Sequence, residues 1–287
     1  MGVRFLKTIL ISFLLVSDAY AKIIEATDSS QIRQYLDSLD KNDLVIFDIK
    51  EVIFAHNDYI LSPNHRSKLQ QFLKKIAKQK SKPEADRLYG IVLLNAELKI
   101  VDEGVPVIIK ELLAKKVKVI GLTSERTGSF GSIAKIEEVI LKQLKEYDID
   151  FSKSFESSRA VLDEAKTING TKFSPAMYKK GVLFTARRQK GEMLEALLKK
   201  LDFAPRRIIH IDSSIENISS ISSFCEKAYI DYLGINFTKI YIGAERPLSK
   251  TISNKQLEVL AGRSRWASDE VAKCMFDTGL NIYECTH

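Results

Sequence analysis

The chain has 287 residues, of which 45% are hydrophobic, so it can bury a full core in one large domain with insertions or in two small ones. Its formal net charge of +7 comes from 44 basic and 37 acidic residues that are mixed along the sequence. Such mixing is typical of solvated helix faces and predicts no nucleic-acid partner, although weak attraction to an anionic membrane or a phosphorylated substrate is compatible with it.

Residues 1–21 have the three parts of a secretory signal peptide. Arg4 and Lys7 make a positive start, residues 8–16 are almost wholly apolar, and Ala19-Tyr20-Ala21 supplies the small residues of a cleavage site before Lys22. A membrane anchor is the alternative, but the apolar run is well below the roughly 20 residues that span a bilayer. We therefore expect an exported protein in the periplasm, the cell envelope or the medium, without a transmembrane anchor after cleavage.

From residue 22 to residue 245, short apolar runs alternate with longer amphipathic segments. The apolar runs are continuous, as expected for strands buried on both faces of a parallel sheet. The predicted strands are 44–49, 117–122, 181–184, 207–211 and 239–242. The predicted helices are 30–39, 67–79, 105–115, 132–147, 190–201 and 215–227. This alternation predicts an α/β fold with a doubly wound, Rossmann-like parallel sheet.

Two long connections interrupt the alternation, at about 55–101 and 124–180, and we expect both to be small cap elements over a site. A tail, residues 246–287, follows with one predicted helix at 254–276 and the single tryptophan, Trp266, as a packing anchor. Cys225 is predicted to lie in the core. Cys274 and Cys285 could pair in an oxidising compartment, but their spacing alone leaves that open.

The ends of the predicted strands carry the residues with chemical potential, because ligands of open parallel sheets bind at the carboxyl edge. Asp48 ends the first predicted strand, Thr123 follows the second, Lys190 opens a helix, and Asp212 ends the fourth. A carboxylate can attack phosphorus when Mg²⁺ and cationic groups shield the charge. Hydroxyls of Thr123 and Ser124 and the Lys190 ammonium would bind phosphoryl oxygens, and Asp212 would hold the cation.

These positions, in this order, resemble the four motifs of the haloacid dehalogenase superfamily, with VIFDIKEV, VIGLTSER, RRQKGEML and IIHIDSSIEN carrying the resemblance. The similarity covers about residues 43–243 and extends to an uncharacterised group of exported bacterial proteins within that superfamily. It implies a phosphatase with Asp48 as nucleophile, Lys190 as the assisting cation and Mg²⁺ as cofactor.

The first motif departs from the superfamily pattern, which has a second aspartate, the general acid/base, where this chain has Lys50. A charged lysine accepts no proton, and we expect Lys50 to pair with Asp48 and weaken the Mg²⁺ site. Ser213 replaces the second acidic residue of the last motif, although Glu216 lies one turn later. A Mg²⁺ shell of Asp48, the Lys50 carbonyl, Asp212 and Glu216 is therefore the expected metal site. Glu51, adjacent to Lys50, should point away from it.

Three functions remain open from the sequence. The first is an exported Mg²⁺-dependent phosphatase with a degenerate first motif. The second is a catalytically inactive module that binds a phosphorylated small molecule or protein partner. The third, a metal-independent hydrolase that attacks carbon, is the least favoured because no pocket for it can be identified. The sequence predicts neither the substrate nor the oligomeric state.

Overall fold

The computed structural model describes residues 21–163, 166–168, 171–242 and 247–286. The strands are β1 Ala21–Ala26, β2 Asp43–Asp48, β3 Phe54–His56, β4 Leu98–Ile100, β5 Lys118–Thr123, β6 Arg159–Val161, β7 Lys166–Ile168, β8 Thr171–Phe173, β9 Met177–Lys179, β10 Val182–Phe184, β11 Arg207–Asp212 and β12 Asp231–Phe237. The helices are α1 Ser29–Arg33, α2 Ser67–Gln79, α3 Lys82–Asn95, α4 Gly104–Ala114, α5 Ile136–Glu146, α6 Lys190–Leu201, α7 Ile215–Ala228, α8 Lys250–Arg263 and α9 Asp269–Thr278.

Eight of these strands form one central sheet in the order β1-β12-β11-β2-β5-β10-β9-β6. The neighbours from β1 to β10 are parallel, and one strand of this sheet, β9, runs in the opposite direction and pairs antiparallel with both β10 and β6. From β2 the chain passes outward through β5 to β10 and then returns to the other side of β2 with β11 and β12. The direction of winding therefore reverses between β2 and β11, where open α/β sheets bind ligands at the carboxyl edge.

Both faces of the sheet are covered by helices, which explains the continuous apolar runs. In β2, Val45 and Phe47 pack in one core with α1, α4 and α5, whereas Leu44 and Ile46 pack in another with α6 and α7. All six residues of β2 are buried. The chain is thus α/β with a mostly parallel sheet between two helical layers, as predicted.

The first connection is an insertion between β3 and β4, which pair with each other as an antiparallel hairpin. Helices α2 and α3 of this insertion pack with the tail helix α8 through a third core that includes Leu69, Leu88, Leu260 and Trp266. The Trp266 Nε1 donates to buried Asp58 Oδ2 over 2.6 Å. Trp266 is therefore a packing anchor, as predicted, and it holds the tail against the insertion.

Three element predictions are wrong. Residues 239–242 are not a strand: Lys239–Tyr241 is a 3₁₀ turn, and the strand is the preceding β12. Gly234 weakens the strand pattern of β12 in the sequence. The packing nevertheless requires a glycine, because a Cβ at position 234 would lie 2.5 Å from Ile218 Cγ2. The tail has two helices rather than one over 254–276, because Ser264 turns left-handed (φ 51°) and Ser268 caps α9. The helix predicted at 30–39 is regular only over α1.

The structure confirms the predicted burial of Cys225 and shows a cysteine pairing that the sequence left open. Cys225 is buried in the core of α6 and α7. Cys274 and Cys285 form a disulfide with a Cα–Cα distance of 5.9 Å. The predicted signal peptide lies, except for Ala21, outside the described residues. Among the described helices, none combines the length and hydrophobicity needed to cross a membrane.

Candidate functional site

Asp48, Lys190 and Asp212 meet at the carboxyl edge of the sheet, where the winding reverses. Asp48 ends β2 and Asp212 ends β11, which are adjacent and paired one residue earlier through Phe47 and Ile211. The Lys190 ammonium lies between the carboxylates, 2.5 Å from Asp48 Oδ1 and 2.7 Å from Asp212 Oδ2. The Lys190 side chain is 1% exposed, so one buried cation bridges two acids.

Asp212 has donors on both of its oxygens. Besides Lys190, the His210 Nε2 lies 3.3 Å from Oδ2. Oδ1 accepts from the Ser214 backbone N–H over 2.9 Å and from Asn217 Nδ2 over 3.1 Å. The last two donors come from the start of α7. Asp212 therefore joins the end of β11 to the N-terminal turn of α7 and is held in one orientation.

Burial and mutual charge separate the pKa values of the two acids. Burial raises the pKa of Asp48 to about 7; Lys190 opposes this shift and the Asp212 charge adds to it. Burial also acts to raise the pKa of Asp212, but Lys190 and the adjacent His210 outweigh it and hold that pKa far below its usual value. Burial alone would lower the pKa of Lys190, yet the two carboxylates raise it, so Lys190 remains charged.

Lys50 does not pair with Asp48, which corrects the sequence prediction. Its ammonium donates to Glu125, in the loop after β5, and Lys190 occupies the position next to Asp48. Burial would lower the pKa of Lys50, but Glu125 raises it overall. The pKa of Glu125 is correspondingly lowered by Lys50, against the effect of burial. A second ion pair therefore lies beside the buried cluster, with Lys50 and Glu125 both charged.

Glu51 does not point away from the site, because the segment after β2 is a tight turn and not an extended strand. The Ile49 carbonyl accepts from the N–H groups of Ile53 and Phe54, and Glu51 adopts a left-handed conformation with φ 68°. Its carboxylate accepts from Arg66 Nη1 over 2.5 Å and from Ser213 Oγ over 3.2 Å. Arg66 of the first insertion is thereby connected to the carboxyl edge of the sheet.

The two hydroxyl residues predicted to bind phosphate lie at the same edge in different environments. Thr123 is buried, and its Oγ1 accepts from the Glu125 N–H over 3.2 Å, so the hydroxyl stabilises the turn after β5. Ser124 is exposed and lines a groove of about 470 Å³. The groove also contains Arg187, Arg188, Gln189 and Lys190 at the start of α6, and a face of α7 with Glu216, Asn217, Ser219, Ser220 and Ser223.

Lys190 contacts two of the four expected Mg²⁺ ligands, Asp48 and Asp212. Mg²⁺ requires octahedral oxygen coordination, with carboxylates and waters as its usual ligands. Both Asp212 oxygens already accept hydrogen bonds, and Lys190 occupies one oxygen of Asp48. Glu216 is exposed on α7, and the side chain of this helix that reaches Asp212 is Asn217. Within the described part of the chain, no three His, Cys, Asp or Glu side chains are grouped to hold a metal.

The sequence matches, over residues 25–273, a family described as "Protein of unknown function (DUF2608)". The chain belongs to this family. The match extends from β1 into α9 and includes every residue of the site. A Rickettsia bellii "Uncharacterized protein" is 27% identical over 236 residues, 76% of this chain and 78% of that protein. A Chlamydia pneumoniae "Putative outer membrane protein" is 32% identical over 106 residues, 34% of this chain and 37% of that protein.

Sequence reasoning missed four site residues in this member of the DUF2608 family: Glu125, His210, Asn217 and Arg187. Asn217 lies in the first turn of the helix that follows a strand-ending acid, which is a usable signal. His210 is two residues before Asp212 and therefore faces the same side of β11. Glu125 and Arg187 lie in loops whose paths the sequence does not specify. Their contribution to the site depends on tertiary structure.

Proposed function

We propose that this protein binds a phosphorylated ligand at the carboxyl edge of its sheet and has a haloacid-dehalogenase-like architecture without magnesium-dependent phosphatase chemistry. The observation that carries the proposal is the bridging of Asp48 and Asp212 by Lys190. An ammonium between two acids offsets part of their negative charge without a metal ion, and the other Asp212 oxygen also accepts hydrogen bonds. The carboxylates are then structural partners of Lys190.

The anion-binding part of the proposal rests on the groove beside this cluster. Arg187 and Arg188 lie before α6, which contributes the partial positive charge of its N-terminus. Ser124 and the serines of α7 add hydroxyl donors on the opposite wall. Arg188 is paired with Asp163, whereas Arg187 is exposed. Cations and hydroxyls around a groove are the donors that phosphate oxygens accept from.

Lys50 argues against hydrolysis in the present protein. A charged ammonium cannot take a proton from water, as a general base must. The pairing with Glu125 keeps it charged. Phosphatase activity is nevertheless the second candidate, favoured by the convergence of Asp48, Thr123 and Lys190 at one edge of the sheet, and the experiment below separates the two.

We also propose that the protein acts outside the cytoplasm, in the cell envelope. The signal-peptide pattern of residues 1–21 supports this, as does the Cys274–Cys285 disulfide, which persists in oxidising compartments. The description of the Chlamydia pneumoniae relatives as outer membrane proteins points to the same part of the cell.

The test is calorimetric titration with phenyl phosphate, with and without Mg²⁺, together with an assay for phosphate release. We expect binding that does not require Mg²⁺, no turnover, and a loss of affinity of about tenfold in Arg187→Ala, the size of one charge-assisted hydrogen bond. Arg263→Ala, which removes an exposed arginine on α8, is the matched control and should bind normally.

Mg²⁺-dependent release of phosphate that disappears in Asp48→Asn would replace this proposal with the phosphatase. Absence of binding, or equal binding by wild type and Arg187→Ala, would overturn it as well.

A further inference from the structure

A cavity of about 620 Å³ lies between the first insertion and the sheet layer, next to the candidate site. Pockets of roughly 300–1,000 Å³ accommodate small organic ligands. Its walls are formed mainly by apolar side chains of α2, α3, α5 and the turn after β12. Those side chains are Leu69, Leu73, Ala77, Val92, Leu93, Phe130, Ile136, Val139, Ile140, Ile240 and Ile242.

Several of these apolar side chains are incompletely covered. Leu73, Ala77, Leu93 and Val139 are only partly buried, although each packs against a cluster of buried apolar residues. Apolar surface that faces an open cavity loses the packing contacts and the water exclusion that a filled core provides. An apolar ligand that filled the space would bury this surface at about 25 cal/mol per Å².

Charged residues line the cavity on two sides: Lys74, Lys82, Asp86 and Lys99 belong to the first insertion, and the others lie near the carboxyl edge of the sheet. Lys50 pairs with Glu125 there, and Arg66 pairs with Glu51. All four residues line the cavity, and Lys50 and Glu51 also interact electrostatically with Asp48. The cavity therefore borders the candidate site at these two ion pairs.

Two arginines at this end, Arg126 and Arg187, form no ion pair with any side chain in the described ranges. Arg126 lies over the Phe130 ring, 4.2 Å from the guanidinium carbon to the ring centre. Burial lowers the pKa of Arg126 and repulsion from the Arg187 charge lowers it further, whereas the Asp86 and Glu125 charges act in the opposite direction. An anion between them would remove that repulsion. Arg187 also lines the polar groove, so it belongs to both spaces.

We propose that this cavity binds a single-chain amphiphile with a phosphate headgroup. The aliphatic chain would lie against α2, α3 and α5, and the headgroup would bind between Arg126 and Arg187. This inference rests on the proposed phosphate binding and narrows the ligand class from a phosphorylated compound in general to a phosphorylated lipid or alkyl ester. The apolar walls match the aliphatic chain of such a molecule, and Arg126 and Arg187 at one end match its phosphate headgroup.

The experiment compares butyl phosphate, decyl phosphate and neutral decyl maltoside, each titrated below its micelle concentration. Six additional methylenes, buried in part, should make decyl phosphate bind about 100-fold more tightly than butyl phosphate. Decyl maltoside has the same chain without the anion and should bind at least about tenfold more weakly than decyl phosphate.

Two substitutions test the location. Ala77→Phe fills part of the cavity and should remove most of the chain-length effect, while butyl phosphate still binds. Ala114→Phe, on the exposed end of α4 outside the cavity, is the matched control. Should Ala77→Phe fail to fold by circular dichroism, Leu73→Trp serves the same purpose. Arg126→Gln should weaken decyl phosphate about tenfold and leave decyl maltoside unchanged.

The outcomes separate this inference from the proposed function. Equal affinity for butyl and decyl phosphate, or a chain-length effect that persists in both filled variants, overturns the inference and leaves phosphate binding intact. Equal affinity for decyl phosphate and decyl maltoside shows an apolar site without an anion site and overturns the inference too. Failure of phenyl phosphate and both alkyl phosphates to bind overturns both proposals.

Discussion

The side chain at position 50 sets the charge beside Asp48. Its partner, Glu125, comes from the loop after β5, so the ion pair bridges two strand ends and leaves Asp48 to Lys190. A single residue thereby changes what the edge of the sheet can bind. With an acid at position 50 the edge would carry one more carboxylate and one fewer cation.

Lys50→Asp should create a response to Mg²⁺ that the wild type lacks. The change leaves Glu125 without its partner and should lower the free energy of unfolding by about 1–3 kcal/mol. The loss should be smaller than the roughly 3–5 kcal/mol of a fully buried pair, because 40% of the Lys50 side chain is exposed. Millimolar Mg²⁺ should then raise the melting temperature by binding the new carboxylate.

Lys50→Met is the matched control, since it removes the charge without adding a metal ligand. It should be destabilised but indifferent to Mg²⁺ in the same calorimetric scan. If Mg²⁺ raises the melting temperature of the wild type as much as that of Lys50→Asp, a metal site already exists in the wild type.

At the scale of elements, the first insertion and the tail depend on each other. Asp58, buried before the turn that leads to α2, accepts from Trp266 Nε1 and, over 2.8 Å, from the Asp269 N–H. Burial raises the pKa of Asp58, and these two hydrogen bonds oppose the shift. One carboxylate thus joins the insertion to the start of α9.

Trp266→Phe should cost about 1–3 kcal/mol of unfolding free energy, because a buried carboxylate loses one of its donors. Urea unfolding followed by far-ultraviolet circular dichroism measures this, since the substitution removes the single tryptophan. Tyr283→Phe, at an exposed site, should change stability by less than about 0.5 kcal/mol. If Asp58→Asn and Trp266→Phe prove strictly additive in the double variant, the hydrogen bond does not stabilise the fold.

The sequence predicted the repeated elements better than the irregular ones. Helices α2 and α6 begin and end at the predicted residues, because their apolar spacing is regular and a strand or turn signal bounds each one. Strand β12 was missed because Gly234 weakens its pattern, although packing against α7 requires that glycine. The left-handed residue at the break is Ser264 and not a glycine, although Gly262 lies two residues earlier.

The candidate site was predictable where its residues end strands and not where they lie in loops. Asp48, Lys190 and Asp212 converge as expected, because parallel strands bring their carboxyl ends to one edge. The partner of Lys50 depended on the path of the loop that carries Glu125. The direction of Glu51 depended on a left-handed turn that the alternation of an extended strand cannot represent.

For the molecule as a whole, buried histidines should make the fold sensitive to acid. Burial, with the nearby Lys50 charge, lowers the pKa of His56 to about 4, whereas the hydrogen bond to the Glu97 backbone and the Glu125 charge oppose it. The unfolded chain binds that proton at about pH 6.5. The contribution of neutral His56 to the free energy of unfolding is therefore complete above about pH 6.5. It is lost as the pH falls toward about 4, by about 2–3 kcal/mol in total.

Asp48 contributes with the opposite sign, since its folded pKa of about 7 lies above the unfolded value of 3.8. The informative quantity is therefore the difference in unfolding free energy between wild type and His56→Gln, measured from about pH 7 to about pH 5. The free energy of unfolding of the wild type should decrease relative to that of His56→Gln as the pH falls. A His56→Gln curve that runs parallel to the wild-type curve would contradict the assignment.

The contact between Trp266 and Asp58 joins residues that are 208 positions apart in the sequence. During synthesis, α2 and α3 would emerge with an apolar face whose covering helix, α8, has yet to be made. The insertion cannot complete its core until nearly the whole chain is available. A polypeptide that crosses a membrane unfolded and completes this contact on the far side loses nothing by the delay, so the order of the elements along the chain suits export before folding.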